Sequence, residues 1–356
     1  MWRDTPFTRA TGARLPIVAA PMAGGPSTPA LVAAASSAGG FGVFPGGYLT
    51  PAAFRDGIRA VRAATGAPFG VNLFVAEAFE VDESRIAAAL DRLRPYADEL
   101  GIALKVPDAF GDDVDALLEV VLDERVPFLS FTFGVLPADR LAALHAAGTV
   151  SCGTATNLAE ARALADAGVG MICVQAGEAG GHRGGFLGDP ADSAVGLTAL
   201  VPLVRDAVDQ PVIAAGGLMD GRGVAAALAF GADAAQLGTA FLLSPEAGTN
   251  RPYREALGRA AETDTTLTRA FSGRPARGLR NRMTEELAGV ALPPYPVMNA
   301  LTRPLRQAAA AAGRADFLSL WAGHGVAAAR ALPAGELVAT LETETDAAIA
   351  RLTGYR

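Results

Sequence analysis

Short apolar runs recur through the first 245 positions, and each is followed by a longer stretch with helical spacing of its apolar residues. The runs cover residues 17–20, 42–44, 70–74, 128–131, 150–152, 171–175, 212–215 and 235–237. They lack the strict alternation of a half-solvated sheet, as parallel strands buried on both faces do. Glycine punctuates the joins: Ser37-Ala-Gly-Gly-Phe-Gly42, Ala147-Gly-Thr-Val-Ser151, Ala167-Gly-Val-Gly-Met171 and Phe230-Gly-Ala-Asp-Ala234 each read as a helix end feeding a strand. Thr28-Pro29 and Thr50-Pro51 place a capping hydroxyl before a proline suited to a first helical turn. Eight such strand–helix units predict an α/β fold, a (β/α)8 TIM barrel, over an open doubly wound sheet.

Two regions depart from the repeat. Residues 76–126 form an oversized connection after the third strand, with amphipathic helices expected at 83–100 and 113–124. Residues 246–356 follow the eighth strand and read as a mostly helical subdomain or lid on the barrel of residues 1–245.

Composition narrows the functions open to this chain. Hydrophobic residues make up 51% and charged residues 19% of 356, which marks a globular protein. A net charge of −7 argues against nucleic acid as a partner, because phosphate backbones need a basic face. Residues 15–54 carry no formal charge, but Pro16, Pro21, Pro26, Pro29 and Pro45 interrupt them, so a strand–helix–strand unit fits better than a membrane span. The N-terminus has no hydrophobic signal region. Cys152 and Cys173 lie in apolar runs and read as reduced, buried thiols of a cytoplasmic protein.

In a (β/α)8 barrel the active site lies at the C-terminal ends of the strands. The residues expected there include Met22 after the first strand, Asn72 at the third, Gln175–Gly185 after the sixth, Gly216 and Gly217 after the seventh, and Gln236, Leu237, Gly238 and Thr239 at the eighth. This ring is glycine-rich and almost uncharged. The histidines are His145, His182 and His324, without the clustering a metal site needs, so no metal is expected. The single lysine, Lys105, falls in the insertion, which argues against a Schiff base.

The loops after the last two strands commonly hold a phosphate with backbone N–H groups. Here Gly216, Gly217 and Gly238 allow close approach, and Thr239 adds a hydroxyl. His182 stands alone among the glycines of Gln175-Ala-Gly-Glu-Ala-Gly-Gly-His-Arg-Gly-Gly185 and reads as functional; His145 reads as structural or exposed. Arg274, Arg277 and Arg280 follow a Ser-Gly turn. They read as ties between lid and barrel, with attraction of an anionic substrate as the other reading. Tyr48 is a candidate wall of the pocket.

Taken in order, Ala-Pro-Met-Ala-Gly-Gly (20–25), Gly-Phe-Gly-Val-Phe-Pro-Gly-Gly-Tyr (40–48), Gly-Val-Asn-Leu-Phe (70–74), Val-Gln-x-x-Glu-Ala-Gly-Gly-His-Arg-Gly (174–184), Ala-Ala-Gly-Gly (214–217), Gln-Leu-Gly-Thr (236–239) and Phe-Ser-Gly-Arg-Pro-Ala-Arg-Gly-Leu-Arg-Asn (271–281) resemble the nitronate monooxygenases, formerly 2-nitropropane dioxygenases, and class I most. The resemblance implies non-covalent FMN and flavin-dependent oxidation of alkyl nitronates, such as propionate 3-nitronate, by O2, detoxifying nitro compounds. It assigns His182 as catalytic base and puts Asn72, Gln175, Gly180, Gly217, Gln236, Leu237, Gly238 and Thr239 around the cofactor; Met22, Gly181 and Gly216, at the same strand ends, are read as further cofactor neighbours. The partners implied are a small-molecule nitronate and O2, with a homodimer left open. Ala176, Pro45 and His324 stand where the family usually has Gly, Gly and Gln. The same scaffold also serves an FMN-dependent NAD(P)H reductase of the enoyl-thioester type, or a non-catalytic flavin-binding module.

Overall fold

The computed structural model describes residues 2–75 and 79–354. Eleven strands are described: β1 (Ile17–Ala19), β2 (Phe41–Pro45), β3 (Gly70–Phe74), β4 (Phe128–Thr132), β5 (Val150–Ala155), β6 (Met171–Gln175), β7 (Gly181–His182), β8 (Val212–Ala215), β9 (Ala234–Leu237), β10 (Thr265–Thr268) and β11 (Ala276–Leu279). Eight of them close a parallel barrel in the order β1-β2-β3-β4-β5-β6-β8-β9. Closure is made by β9 against β1, where Ile17 pairs with Ala235 and Ala19 with Leu237. The fold is thus the (β/α)8 barrel expected from the glycine-punctuated runs. Thr28 and Thr50 cap their helices as read, accepting from the N–H groups of Leu31 and Ala53.

Alternation along each strand decides what faces inward. Val71, Leu73, Leu129, Ile172, Val174, Val212, Ala214, Ala235 and Leu237 point out to the helices and share one large core with them. The intervening residues point into the barrel. Near its N-terminal end these are apolar: Phe41, Phe128, Cys152, Met171, Ile213 and Ala234, with Phe7 added from the helix Pro6–Thr11. Phe7, Phe41 and Phe128 meet edge to face at 5.5 and 5.2 Å. They plug that end, and a cavity opens toward the C-terminal ends of the strands, where the inward residues become polar: Asn72, Ser130, Thr132, Thr154, Gln175 and Gln236.

The expected insertion forms helices Glu83–Glu99 and Val114–Asp123; residues 76–78 of that connection lie outside the described residues. Two features of the mostly helical C-terminal part bear on the site and the barrel. First, β10 and β11 form an antiparallel sheet with β7, in the order β10-β11-β7, so this part is not only helical. Second, the helix Ala334–Thr353 joins the barrel's own core through Ala334, Leu337, Val338 and Leu341. The spacing i, i+3, i+4, i+7 gives that helix one apolar stripe, and the stripe packs on the helical layer of the barrel. Helix Val297–Ala311 and the loops around it form a second core with Phe271, Met283 and Phe317.

Candidate active site

A cavity of about 640 Å³ opens at the C-terminal end of the barrel, in the size range of small-molecule and cofactor pockets. Met22, Asn72, Gln175, Gly180, Gly181, His182, Gly216, Gly217, Gln236, Gly238 and Thr239 all line it. Leu237 does not. It is fully buried, and its side chain faces the helices because its neighbours Gln236 and Gly238 take the inward positions. The assignment of Leu237 to the pocket is corrected on that ground: neighbouring side chains of a strand cannot face the same way.

The loop carrying His182 is held from three sides. From below, the Gln175 side chain reaches up from the end of β6. Its Nε2 donates to the carbonyl of His182 at 2.9 Å, and its Oε1 accepts from the N–H of Gly184 at 2.8 Å. From within, Arg183 is 1% exposed and donates to the carbonyls of Ala176 at 2.7 Å, Gln175 at 3.1 Å and Ser193 at 2.6 Å. Burial lowers its pKa to about 10. From the C-terminal part, β11 pairs with β7, with Ala276 opposite His182, and Arg274 donates to the carbonyls of Arg183 and Gly185. Glu160, fully buried, completes the clamp by accepting from the N–H groups of Phe186 at 2.7 Å and Leu187 at 3.0 Å.

His182 therefore sits on a rigid support. Its Nε2 and the Ser272 Oγ form a hydrogen bond at 2.9 Å. Its ring meets those of Phe133, Tyr295 and Trp321 at 5.9, 5.8 and 5.3 Å. Burial, with the nearby Arg274 and Arg306 cations, pushes its pKa down to about 3, so the imidazole is neutral near pH 7. Phe133 holds a positive φ of 79°, which is rare for an aromatic residue and turns the chain sharply at the end of β4.

The opposite wall is built of backbone. Gly216 and Gly217 have φ of 127° and 69°, a region that favours glycine. The N–H groups of Gly217, Gly238 and Thr239 find no acceptor among the described residues. The Thr239 hydroxyl, however, accepts from the N–H of Gly323 at 3.0 Å, so it ties the C-terminal segment to the barrel. The helix following β8, Gly221–Ala229, is capped by Asp220, which takes the N–H groups of Arg222 and Gly223. Its N-terminus is thus closed, and the open donors lie in the turns directly after β8 and β9 instead.

The remaining wall was missed in the sequence. Asn299, Arg303, Arg306, Gln307 and Ala310 line the cavity from one face of the helix Val297–Ala311, at spacings of four, three, one and three. That periodicity was a readable signal. Arg303 and Arg306 are cations on the wall, and no carboxylate among the described residues lines it. Arg306 donates to the carbonyl and side-chain oxygens of Asn299, while its Nε is buried without a partner. Tyr48 lines the cavity as read; its hydroxyl is also buried without a hydrogen-bond partner. His145 bonds Ser151 at 2.9 Å and His324 is exposed; neither lines the cavity. Arg277 donates to the carbonyl of Gly177, a tie between lid and barrel.

Comparison with known proteins agrees with this geometry. The nitronate monooxygenase family model matches residues 8–344. A nitronate monooxygenase of Pseudomonas aeruginosa is 45% identical over 349 residues, covering 95% of this chain and 98% of that protein. A probable nitronate monooxygenase of Staphylococcus aureus is 38% identical, covering 96% and 97%. Among solved structures, nitroalkane oxidase from Streptomyces ansochromogenes superposes with a TM-score of 0.92 at 45% identity, over 97% of this chain and 99% of that one. FabK from Thermotoga maritima superposes with a TM-score of 0.78 at 29% identity, over 99% of each chain. Family model, relatives and barrel agree: the chain belongs to the nitronate monooxygenase family and is an oxidoreductase.

Proposed function

We propose that the protein binds FMN in this cavity and oxidises alkyl nitronates, propionate 3-nitronate among them, with O2. The observation that carries the reading is the wall itself: a neutral imidazole on one side, free backbone N–H groups on another, two arginines on a third, and no carboxylate among the described residues. Such a wall suits a phosphate-bearing cofactor and an anionic substrate. The unpaired N–H groups of Gly217, Gly238 and Thr239 are the donors a phosphate would take. Asn72 and Gln236 would face the ring system from the barrel floor. FMN held there would supply the redox chemistry that couples substrate oxidation to O2.

The chain's own residues supply the rest. Arg303 and Arg306 favour an anion over a neutral ligand at the cavity wall. His182 accepts the α-proton of a neutral nitroalkane, or stands beside a nitronate that arrives without it. An anion bound nearby would offset the Arg274 and Arg306 charges that hold the imidazole's basicity down. The aromatic rings of Phe133, Tyr295 and Trp321 pack around the imidazole. Buried Cys152 and Cys173, whose thiol pKa values burial raises, fit a cytoplasmic setting.

The test is spectral and kinetic. The purified protein should carry a flavin absorbance released as FMN on denaturation, and should consume O2 with propionate 3-nitronate. A protein that stays colourless after incubation with FMN would overturn the reading. NAD(P)H oxidation without nitronate turnover would replace it with a reductase of the enoyl-thioester type.

A further inference from the structure

Two buried donors on the cavity wall have no acceptor. The Tyr48 hydroxyl and the Arg306 Nε–H belong to residues that line the cavity, and neither group makes a hydrogen bond among the described residues. A buried donor left unpaired is costly, so each calls for a partner. Arg306 is also a buried cation in neutral or cationic company. Its Nη2 donates to the carbonyl and the side-chain oxygen of Asn299 at 2.9 and 2.8 Å. Burial lowers its pKa to about 10, and the groups that act on its charge are Tyr48, Arg303 and Tyr295, none of them a carboxylate. A buried charge without a counter-charge favours the binding of an anion.

Tyr48 is its neighbour. Burial raises the pKa of the phenol to about 12, and Arg306 is the charge that acts on it most. The hydroxyl therefore keeps its proton near pH 7 and can donate it. Tyr48 is held in place by an unusual backbone. Its φ is 69°, rare for a bulky residue, and its N–H donates to both carboxylate oxygens of Asp112 at 3.2 and 3.1 Å. Asp112 comes from the long connection after β3 and does not line the cavity. We propose that the Tyr48 hydroxyl and the Arg306 Nε–H form an oxyanion site for the oxygens of the substrate's nitro or nitronate group, with Asp112 positioning Tyr48 for it.

Its place near His182 favours the reacting group over a remote one. Arg306 is one of the two cations that act on the imidazole. The Tyr295 ring stands 5.8 Å from the imidazole and also neighbours Tyr48. The chemical consequence rests on the role proposed above for His182. With a neutral nitroalkane, the α-carbon–hydrogen bond breaks, the proton goes to the imidazole, and the electron pair moves into the nitro group as the carbon–nitrogen double bond forms. Negative charge then gathers on the nitro oxygens, where donors already in place stabilise it. No oxidant is needed for that step.

The first test needs no turnover. Nitrate, a planar oxyanion, is titrated into the full-length, FMN-loaded protein and followed by the flavin difference spectrum. The wild-type protein should bind it, and Tyr48→Phe should weaken binding roughly tenfold or more, the loss of a hydrogen bond to a charged group. Asp112→Ala should weaken it in the same direction, and Asp112→Asn, which keeps an acceptor for the Tyr48 N–H, should restore it. No nitrate binding by the wild-type protein, or equal binding by Tyr48→Phe, would overturn the proposal even if nitronate oxidation is confirmed. Nitrate binding that depends on Tyr48 in a protein that oxidises no nitronate would support the anion site and sink the functional reading alone. Kinetics then place the bound group. A nitronate carries its charge on arrival, so Tyr48→Phe should raise KM for it; a neutral nitroalkane gains charge only in the transition state, so kcat should fall. The rise in KM should be alike for propionate 3-nitronate and for the nitronate of nitroethane, which has no carboxylate. A loss confined to propionate 3-nitronate would put the carboxylate at this site and contradict the proposal.

Discussion

The Gln175 side chain holds the backbone of His182 as a strut: its Nε2 donates to the His182 carbonyl at 2.9 Å, and its Oε1 is taken up by the N–H of Gly184. Both ends of the amide are thus spent on the loop. Gln175 was expected among the cofactor's neighbours, and it does line the cavity, but its hydrogen bonds go to the protein.

Replacing it should therefore affect the histidine loop before the cofactor. Gln175→Leu removes two hydrogen bonds, each worth about 0.5–1.5 kcal/mol net. A loss of about 1–3 kcal/mol and a melting temperature lower by several degrees should follow. Turnover should fall while the loaded protein keeps its flavin spectrum. Differential scanning calorimetry and steady-state kinetics check this; complete loss of flavin with an unchanged melting temperature would assign Gln175 to the cofactor instead.

His182 itself is separable from flavin retention. His182→Asn should keep the flavin absorbance and lose activity on neutral nitroalkanes by about 100-fold or more, the usual size of a general-base contribution. Activity on preformed nitronates should fall less, because no α-proton remains to be moved. Equal rates on nitroalkane before and after substitution would remove the base role.

The pH dependence follows from the lowered pKa of His182. Its folded value is about 3, below the 6.5 of a free imidazole, because the buried ring lies near Arg274 and Arg306. Above pH 6.5 the ring is neutral both folded and unfolded and contributes no pH dependence. As pH falls from 6.5 toward 3, the unfolded chain takes up the proton first, so stability falls through that window. Proton NMR of the imidazole should therefore show no titration of His182 between pH 5 and 8. A midpoint near 6.5 would contradict the burial.

Gly217 makes the backbone wall testable. Its φ is 69°, and an added Cβ would lie 3.1 Å from the Cβ of Glu178. Gly217→Ala should cost about 1–2 kcal/mol for the left-handed backbone. It should also weaken FMN retention, measured by fluorescence titration of the apoprotein. Unchanged affinity would place the phosphate elsewhere.

Much of this was legible in the chain, for reasons that mark the limit. The barrel strands could be read because each is an apolar run bounded by glycine, a local signal. Leu237 was misplaced because a run buried on both faces does not reveal which side chains point inward; only the register with β1 decides that. The sheet β10-β11-β7 was unreadable because β7 is two residues long and its partner lies more than ninety positions away. Arg303 and Arg306 were legible in principle as one face of a helix with Asn299, but nothing local says that this face covers a barrel mouth. Phe133, Tyr295 and Trp321 surround His182 only through tertiary packing.

Oxygen uptake by the purified, FMN-loaded protein with propionate 3-nitronate, run beside an NAD(P)H oxidation assay without nitronate, tests the central claim most directly. The account predicts O2 consumption that needs the flavin and the nitronate and proceeds without NAD(P)H. No O2 consumption by a protein that demonstrably carries FMN would contradict it.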